Sequence, residues 1–130
     1  MAPRPLSPHL TVYKFKYTLT TSILNRLTGI GLSLALLVLV YWLMAVAGGA
    51  ATQVRAAHFF AHPLVRVLGA AFLAAYCYHL VAGIRHLIWD TGRALERRQS
   101  QRSAWIVVCV SVALALLIGY LAWCGGRYAP

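Results

Sequence analysis

The sequence predicts an all-α membrane protein built from three transmembrane helices. Three observations carry that expectation. The 130-residue chain is 61% hydrophobic and only 11% charged, where a soluble globular domain carries about 25% charged residues. Three stretches, Leu27–Val54, Val67–Ile84 and Ser103–Gly126, contain no charged side chain, and each reaches or exceeds the roughly 18 residues that mark a membrane helix. Too little polar sequence remains for a separate water-soluble core. The expected plan is a polar, aromatic arm over residues 1–20 and one anchor domain over 21–130, with helices at about 21–47, 64–89 and 103–124.

The arm carries Pro3, Pro5 and Pro8, which disfavour helix. Tyr13, Phe15 and Tyr17 alternate with Lys14 and Lys16, a composition suited to the headgroup layer. The first span has Thr20, Thr21 and Ser22 as candidate caps. Along it, Ser22, Asn25, Arg26, Gly29 and Ser33 recur at three- and four-residue spacing and so share a face. Gly29 and Ser33 read as a small-residue packing seam. Arg26 does not; it must face a protein interior, a cofactor or the headgroups. Gly48 and Gly49 end the span. His58 and His62 follow in the first connection at metal-compatible spacing, but with no carboxylate or cysteine nearby they read as interfacial histidines. The third span has no charge and no histidine, which suits a scaffold. Cys77, Cys109 and Cys124 all lie in apolar sequence, form no Cys-x-x-Cys pair and read as small hydrophobes.

Charge placement sets the expected orientation. Arg4, Lys14, Lys16 and Arg26 flank the first span, and Arg85, Arg93, Arg97, Arg98 and Arg102 flank the second connection. Only Arg55, Arg66 and Arg127 lie on the other side. Nine basic residues against three place the N-terminus in the cytoplasm and the C-terminus opposite. The first apolar stretch is too long for a signal-peptide core, and the N-terminus lacks transit-peptide character. A multi-pass protein of a bacterial inner membrane is expected, or of the mitochondrial inner membrane if the protein belongs to an organelle. Basic residues that flank spans suit lipid headgroups or an acidic partner and give no reason to expect nucleic acid.

The second span holds the chemistry. His79 is the one histidine well inside an apolar stretch, and an ionisable side chain in hydrocarbon is a functional-site hypothesis. Phe72, Tyr76, His79, Gly83, His86 and Asp90 share a face. Gly83 removes bulk one turn from His79, where a flat macrocycle could approach. Neutral imidazole is a good axial ligand for haem iron. An interior histidine hydrogen-bonded to a neighbouring helix has the same spacing, and spacing alone admits both. If His79 is a ligand, the haem propionates would point toward His86 and Arg85 or Arg26 on the cytoplasmic side. No second ligand is well placed in this chain, so it would come from another: a hetero-oligomer, or a symmetric dimer sharing one haem. Asp90, near a helix C-terminus where the dipole disfavours an anion, calls for a cationic partner such as Arg93 or Arg26, with proton delivery as the other reading.

Three motifs together resemble one family. They are Arg4-Pro-Leu-Ser-Pro-His-Leu-Thr-Val-Tyr-Lys14, Ser22-Ile-Leu-Asn-Arg26-Leu-Thr-Gly29, and His79-x-x-x-Gly-Ile-Arg-His86-Leu-x-x-Asp90. The resemblance is to the cytochrome b556 subunits of succinate dehydrogenase, the larger membrane anchors of respiratory complex II. It covers nearly the whole chain. It implies part of a hetero-oligomeric haem-binding helix bundle. His79 becomes the axial ligand of a haem b shared with the smaller anchor subunit, and Ser22 and Arg26 become ubiquinone-site residues. His86 and Arg26 become propionate contacts. Asn25 stands where the family usually has histidine, which removes a group that titrates near neutral pH. The implied partners are that smaller anchor, an iron–sulfur subunit and a flavoprotein. FAD and the clusters would reside there, since this chain has neither a Cys cluster nor a dinucleotide fingerprint. The chain would then be a non-flavin subunit of an enzyme, not catalytic alone. Two other classes fit the hydropathy: a small transporter or channel component, which the absence of an acidic residue within a span disfavours, and a cofactor-free assembly scaffold.

Overall fold

The computed structural model describes residues 17–127, with side chains from residue 19 to residue 125. The first and longest part of the N-terminal arm, with the proline-rich motif, therefore lies outside the described residues. Four helices follow one another: α1 Tyr17–Ala47, α2 Ala50–Ala61, α3 Pro63–Asp90 and α4 Arg97–Arg127. Among the described residues there is no strand. Three helical segments, Leu19–Ala47, Pro63–Asp90 and Arg97–Gly125, are long and apolar enough to cross a membrane, as the three charge-free stretches predict.

The ends differ from the sequence expectation at both α1 and α4. α1 begins at Tyr17, because Thr20–Ser22 lie inside the helix instead of capping it, and Thr21 is buried. α4 begins six residues before Ser103, because hydropathy marks only the apolar part of a helix. The Arg97–Arg102 run is polar but built of good helix formers, and Ser100 N–H already bonds Glu96 O at 2.8 Å.

The first connection is a helix rather than a loop. α2 is rich in alanine, the best helix former, yet at 12 residues it is too short to register as a span. Gly49, at φ +86°, makes the turn into it, a backbone conformation that favours glycine. The first turn of α2 then satisfies the last carbonyls of α1. Thr52 Oγ1 donates to Ala45 O at 2.8 Å, and Gln53 Nε2 donates to Val46 O at 3.4 Å. Tyr41 of α1 meets Phe59 edge-on at 5.4 Å, so α2 folds back along α1. His62 N-caps α3, accepting from Leu64 N–H at 3.3 Å, and Pro63 occupies the first helical position.

α3 packs against both α1 and α4 and forms the centre of the bundle. The buried apolar residues are small: Ala45, Ala56, Cys77, Ala82, Ala104 and Val107, with Thr21 and Ser111 among the buried polar ones. Lipid tails are as apolar as leucine, so helices in a membrane associate through close backbone approach rather than by hiding large side chains. Cys77 is completely buried, Cys109 is exposed and Cys124 half-buried, and all three are free thiols. Leucines such as Leu37, Leu116 and Leu34 point outward.

Candidate functional site

The antiparallel order of the helices brings the N-terminus of α1, the C-terminus of α3 and the N-terminus of α4 to one end of the bundle. Buried polar groups concentrate there. Tyr78 OH donates to Thr21 O at 2.8 Å, tying α3 to α1. Arg85 is only 6% exposed. Its Nε donates to Ser103 Oγ at 2.9 Å, one terminal nitrogen to Thr21 Oγ1 at 3.3 Å, and the other to Ser100 O at 2.9 Å and Ser100 Oγ at 3.3 Å. Its guanidinium carbon lies 4.0 Å from the centre of the Trp89 ring. A buried cation needs such donors' partners because it has left water. Arg85 therefore joins α1, α3 and α4.

His79 lies deeper, about 15 Å along the helix from Trp89 at 1.5 Å per residue. Its Nδ1 is 3.1 Å from Asn25 O and 3.3 Å from Thr28 Oγ1. A carbonyl oxygen can only accept, so Nδ1 carries the proton and donates. Nε2 is then the ring nitrogen with the lone pair, and it has no hydrogen bond among the described residues. The ring presses on Gly29, where a built Cβ would stand 3.1 Å from His79 Cε1. His79 borders an apolar groove of about 610 Å³ between α1 and α3, lined also by Gly29, Ser33, Leu36, Phe72 and Tyr76. A slightly larger groove of about 640 Å³ lies between α1 and α2, but its lining, from Val38 and Trp42 to Gln53 and Phe60, has no ionisable side chain.

The predicted site residues thus fall into three groups. Gly29, Ser33, Phe72, Tyr76 and His79 meet at the groove. Arg85 turns the other way, into the α4 contact. Ser22 and Arg26 sit one to two turns nearer the polar end, Ser22 half-buried and Arg26 exposed, and neither makes a hydrogen bond among the described residues. The single face expected for Ser22, Asn25, Arg26, Gly29 and Ser33 therefore divides. The Asn25 backbone carbonyl and Gly29 meet His79, while the Arg26 side chain is exposed. His86 is half-buried; its Nδ1 donates to Ala82 O at 2.8 Å, and its ring packs near Trp89 at 5.3 Å. A Cβ at Gly83 would meet nothing within 4 Å. Asp90 is exposed and forms no ion pair among the described residues. Among the described residues two buried polar atoms lack partners, Asn25 Oδ1 and Trp89 Nε1. Among the described residues no group of three histidine, cysteine, aspartate or glutamate side chains is arranged to hold a metal.

The contacts that Thr21, Thr28, Tyr78, Ser100 and Ser103 make across the bundle are not legible in the sequence, which offers Thr21 only as a candidate cap. The serines and threonines are hydroxyls in or beside an apolar run, and such residues satisfy nearby helix carbonyls so readily that sequence gives no sign of a partner across the bundle; the partner of the Tyr78 phenol depends on how α1 packs on α3. Only Thr28 had a local sign, its place next to Gly29.

Residues 2–118 match the family model described as the succinate dehydrogenase/fumarate reductase transmembrane subunit. The chain belongs to that family. It is 38% identical over 115 residues to a succinate dehydrogenase cytochrome b556 subunit of Rickettsia typhi, covering 88% of this chain and 90% of the relative. The cytochrome b556 subunit of Paracoccus denitrificans is 36% identical over 114 residues, 88% of each chain. A cytochrome b560 subunit of Reclinomonas americana is 36% identical over 127 residues, 92% of this chain and 84% of the relative. As a member of this family the chain is a transmembrane part of an enzyme complex.

Proposed function

We propose that this chain anchors a succinate:quinone oxidoreductase in an inner membrane, binds haem b through His79 and contributes Ser22 and Arg26 to the site where ubiquinone is reduced. The observation that carries the reading is the state of His79. Its proton is held on Nδ1 by a backbone carbonyl, and Nε2 is left free beside an apolar groove at mid-span. That is the arrangement of a metal-ligating histidine, whose second nitrogen is normally fixed by such a partner. A histidine serving only as a structural link would use the remaining nitrogen as well, since a lone polar atom in hydrocarbon is costly. The groove volume falls within the ~300–1,000 Å³ usual for cofactor sites. The residues present therefore fit a b-type haem.

In that reading His79 would hold the haem on this chain's side, and a smaller anchor subunit would supply the other iron ligand. The haem, when bound, supplies a one-electron redox centre inside the membrane. Arg26 and His86 are the residues free to meet its propionates. Arg85 has most of its donors engaged elsewhere and acts as a strut.

Quinone reduction consumes two electrons and two protons. Electrons from succinate would pass through a flavoprotein and an iron–sulfur subunit docked on the polar end, whose excess of basic residues supports a cytoplasmic position. Arg26, exposed at that end, would stabilise negative charge as it develops on a quinone oxygen, and the Ser22 hydroxyl would donate a hydrogen bond to it. The C-terminus would lie on the periplasmic side, or its mitochondrial equivalent.

The test is a reduced-minus-oxidised spectrum of the assembled complex. His79→Leu should abolish or severely perturb the low-spin b-type signal, and His58→Leu and His62→Leu should leave it intact. An unaltered low-spin spectrum and potential in His79→Leu would remove His79 as the axial ligand.

A further inference from the structure

One turn of α1 holds the His79 ring by three separate contacts. Asn25 O accepts from Nδ1 at 3.1 Å. Thr28 Oγ1 lies 3.3 Å from the same nitrogen. The Thr28 hydroxyl hydrogen is directed at backbone carbonyls, Leu24 O at 2.8 Å or Asn25 O at 3.0 Å, so toward Nδ1 its oxygen acts as a second acceptor. Gly29 completes the cradle. A Cβ there would lie 3.1 Å from Cε1, tighter than side chains ordinarily pack, and 3.6 Å from Nδ1, an ordinary contact. Glycine is not needed throughout the helix for this purpose, because a Cβ at Gly31 would meet nothing within 4 Å.

We propose that Thr28 and Gly29 are positioning residues for the axial ligand: Gly29 sets the plane of the His79 ring, and Thr28, beside the Asn25 carbonyl that fixes the tautomer, adds to the basicity of the ring, and through plane and basicity they tune the haem potential. The inference rests on the reading of His79 as a haem ligand. The chemistry follows from the acceptors. Hydrogen bonds accepted from Nδ1–H push electron density toward Nε2 and strengthen its bond to the iron. The more electron-poor ferric iron gains more from that than ferrous iron, so the acceptors lower the potential. Removing one of them raises it. Adding a methyl at position 29 forces the ring to rotate or withdraw by a few tenths of an ångström, which alters the angle it presents to the haem.

The experiment uses the complete complex purified from membranes, with variants Thr28→Val, Thr28→Ser, Gly29→Ala, Gly31→Ala and His79→Leu. Three measurements are made on each: the reduced-minus-oxidised spectrum, the anisotropy of the low-spin ferric EPR signal, and a potentiometric titration. Thr28→Val preserves shape and removes the acceptor. It should raise the midpoint potential by up to about 59 mV, the equivalent of a tenfold change in the ratio of ferric to ferrous affinity for a one-electron couple. Thr28→Ser should return the potential toward the wild-type value. Gly29→Ala should alter the EPR anisotropy, and Gly31→Ala should not.

If Thr28→Val and Gly29→Ala match the wild type in all three measurements while His79→Leu loses the low-spin signal, the cradle has no tuning role and the proposal is overturned, with the ligand assignment intact. If His79→Leu keeps the signal, the ligand assignment itself fails and takes the proposal with it. Should Gly29→Ala not assemble, the Thr28→Val and Thr28→Ser pair decides alone. A shift in Thr28→Val that serine does not reverse would also overturn it, because a packing change and not the hydroxyl would then be the cause.

Discussion

Arg85 offers the sharpest test of how the bundle is held. Replacing it with methionine removes four hydrogen bonds, two of them at 2.9 Å, and a guanidinium stacked 4.0 Å from the Trp89 ring centre. Taking about 1.5 kcal/mol for each of the two short charged bonds and about 1–2 kcal/mol for the stacking, the gross loss is roughly 4–5 kcal/mol. Part of it returns. Methionine carries no charge to desolvate, and Ser103 Oγ still donates to Ser100 O at 3.0 Å. A net destabilisation of about 2–3 kcal/mol is expected. Lysine keeps the charge buried but has no planar fork to reach Ser100, Ser103 and Thr21 together. It should be the worse substitution, at about 3–5 kcal/mol, because a buried charge is left short of partners. The assay is the thermal midpoint of the solubilised complex, measured beside the haem midpoint potential. The order wild type, methionine, lysine supports the strut. If lysine is closer to wild type than methionine, or if both keep full stability while the haem potential moves, Arg85 is serving an anionic group and the reasoning fails.

Two further outcomes test the proposed orientation and quinone site. Ser22→Ala and Arg26→Leu should each lower succinate–quinone reductase activity by roughly 10²–10³-fold, with succinate oxidation by an artificial upstream acceptor nearly unchanged and Arg26→Lys only partly active; a parallel fall in both assays would make Arg26 structural. A reporter active only outside the cytoplasm should work when fused after Pro130 and be silent after Arg98, and the reverse pattern would invert the docking face.

The spans were legible because membrane helices must be long, apolar and internally hydrogen-bonded. The charge-free stretches fall within α1, α3 and α4, except that the first continues past the helix end into α2. His79 was legible for a related reason: a histidine in hydrocarbon stands out against its neighbours. α2 escaped because twelve mixed residues give no membrane-length signal. The one-face reading of α1 was half right. A 100° step per residue groups Ser22 and Arg26 with Gly29, but the direction in which that group faces depends on where α3 packs.

The sequence by itself determined the class of fold, the number of spans, the family and the histidine at mid-depth, since each depends on composition or on residues close in the chain. Only the tertiary structure decided which nitrogen of His79 carries the proton, since Asn25 O lies 54 residues away in sequence. It also decided that Arg85 faces Ser100 and Ser103 instead of the groove, and that Gly29 is the glycine that must remain small. Those outcomes depend on the rotation of each helix about its axis. Helix rotation is fixed by the packing of small residues between helices; a seam such as Gly29 and Ser33 marks a packing face, but which residues of the neighbouring helix meet it is decided only when the two pack.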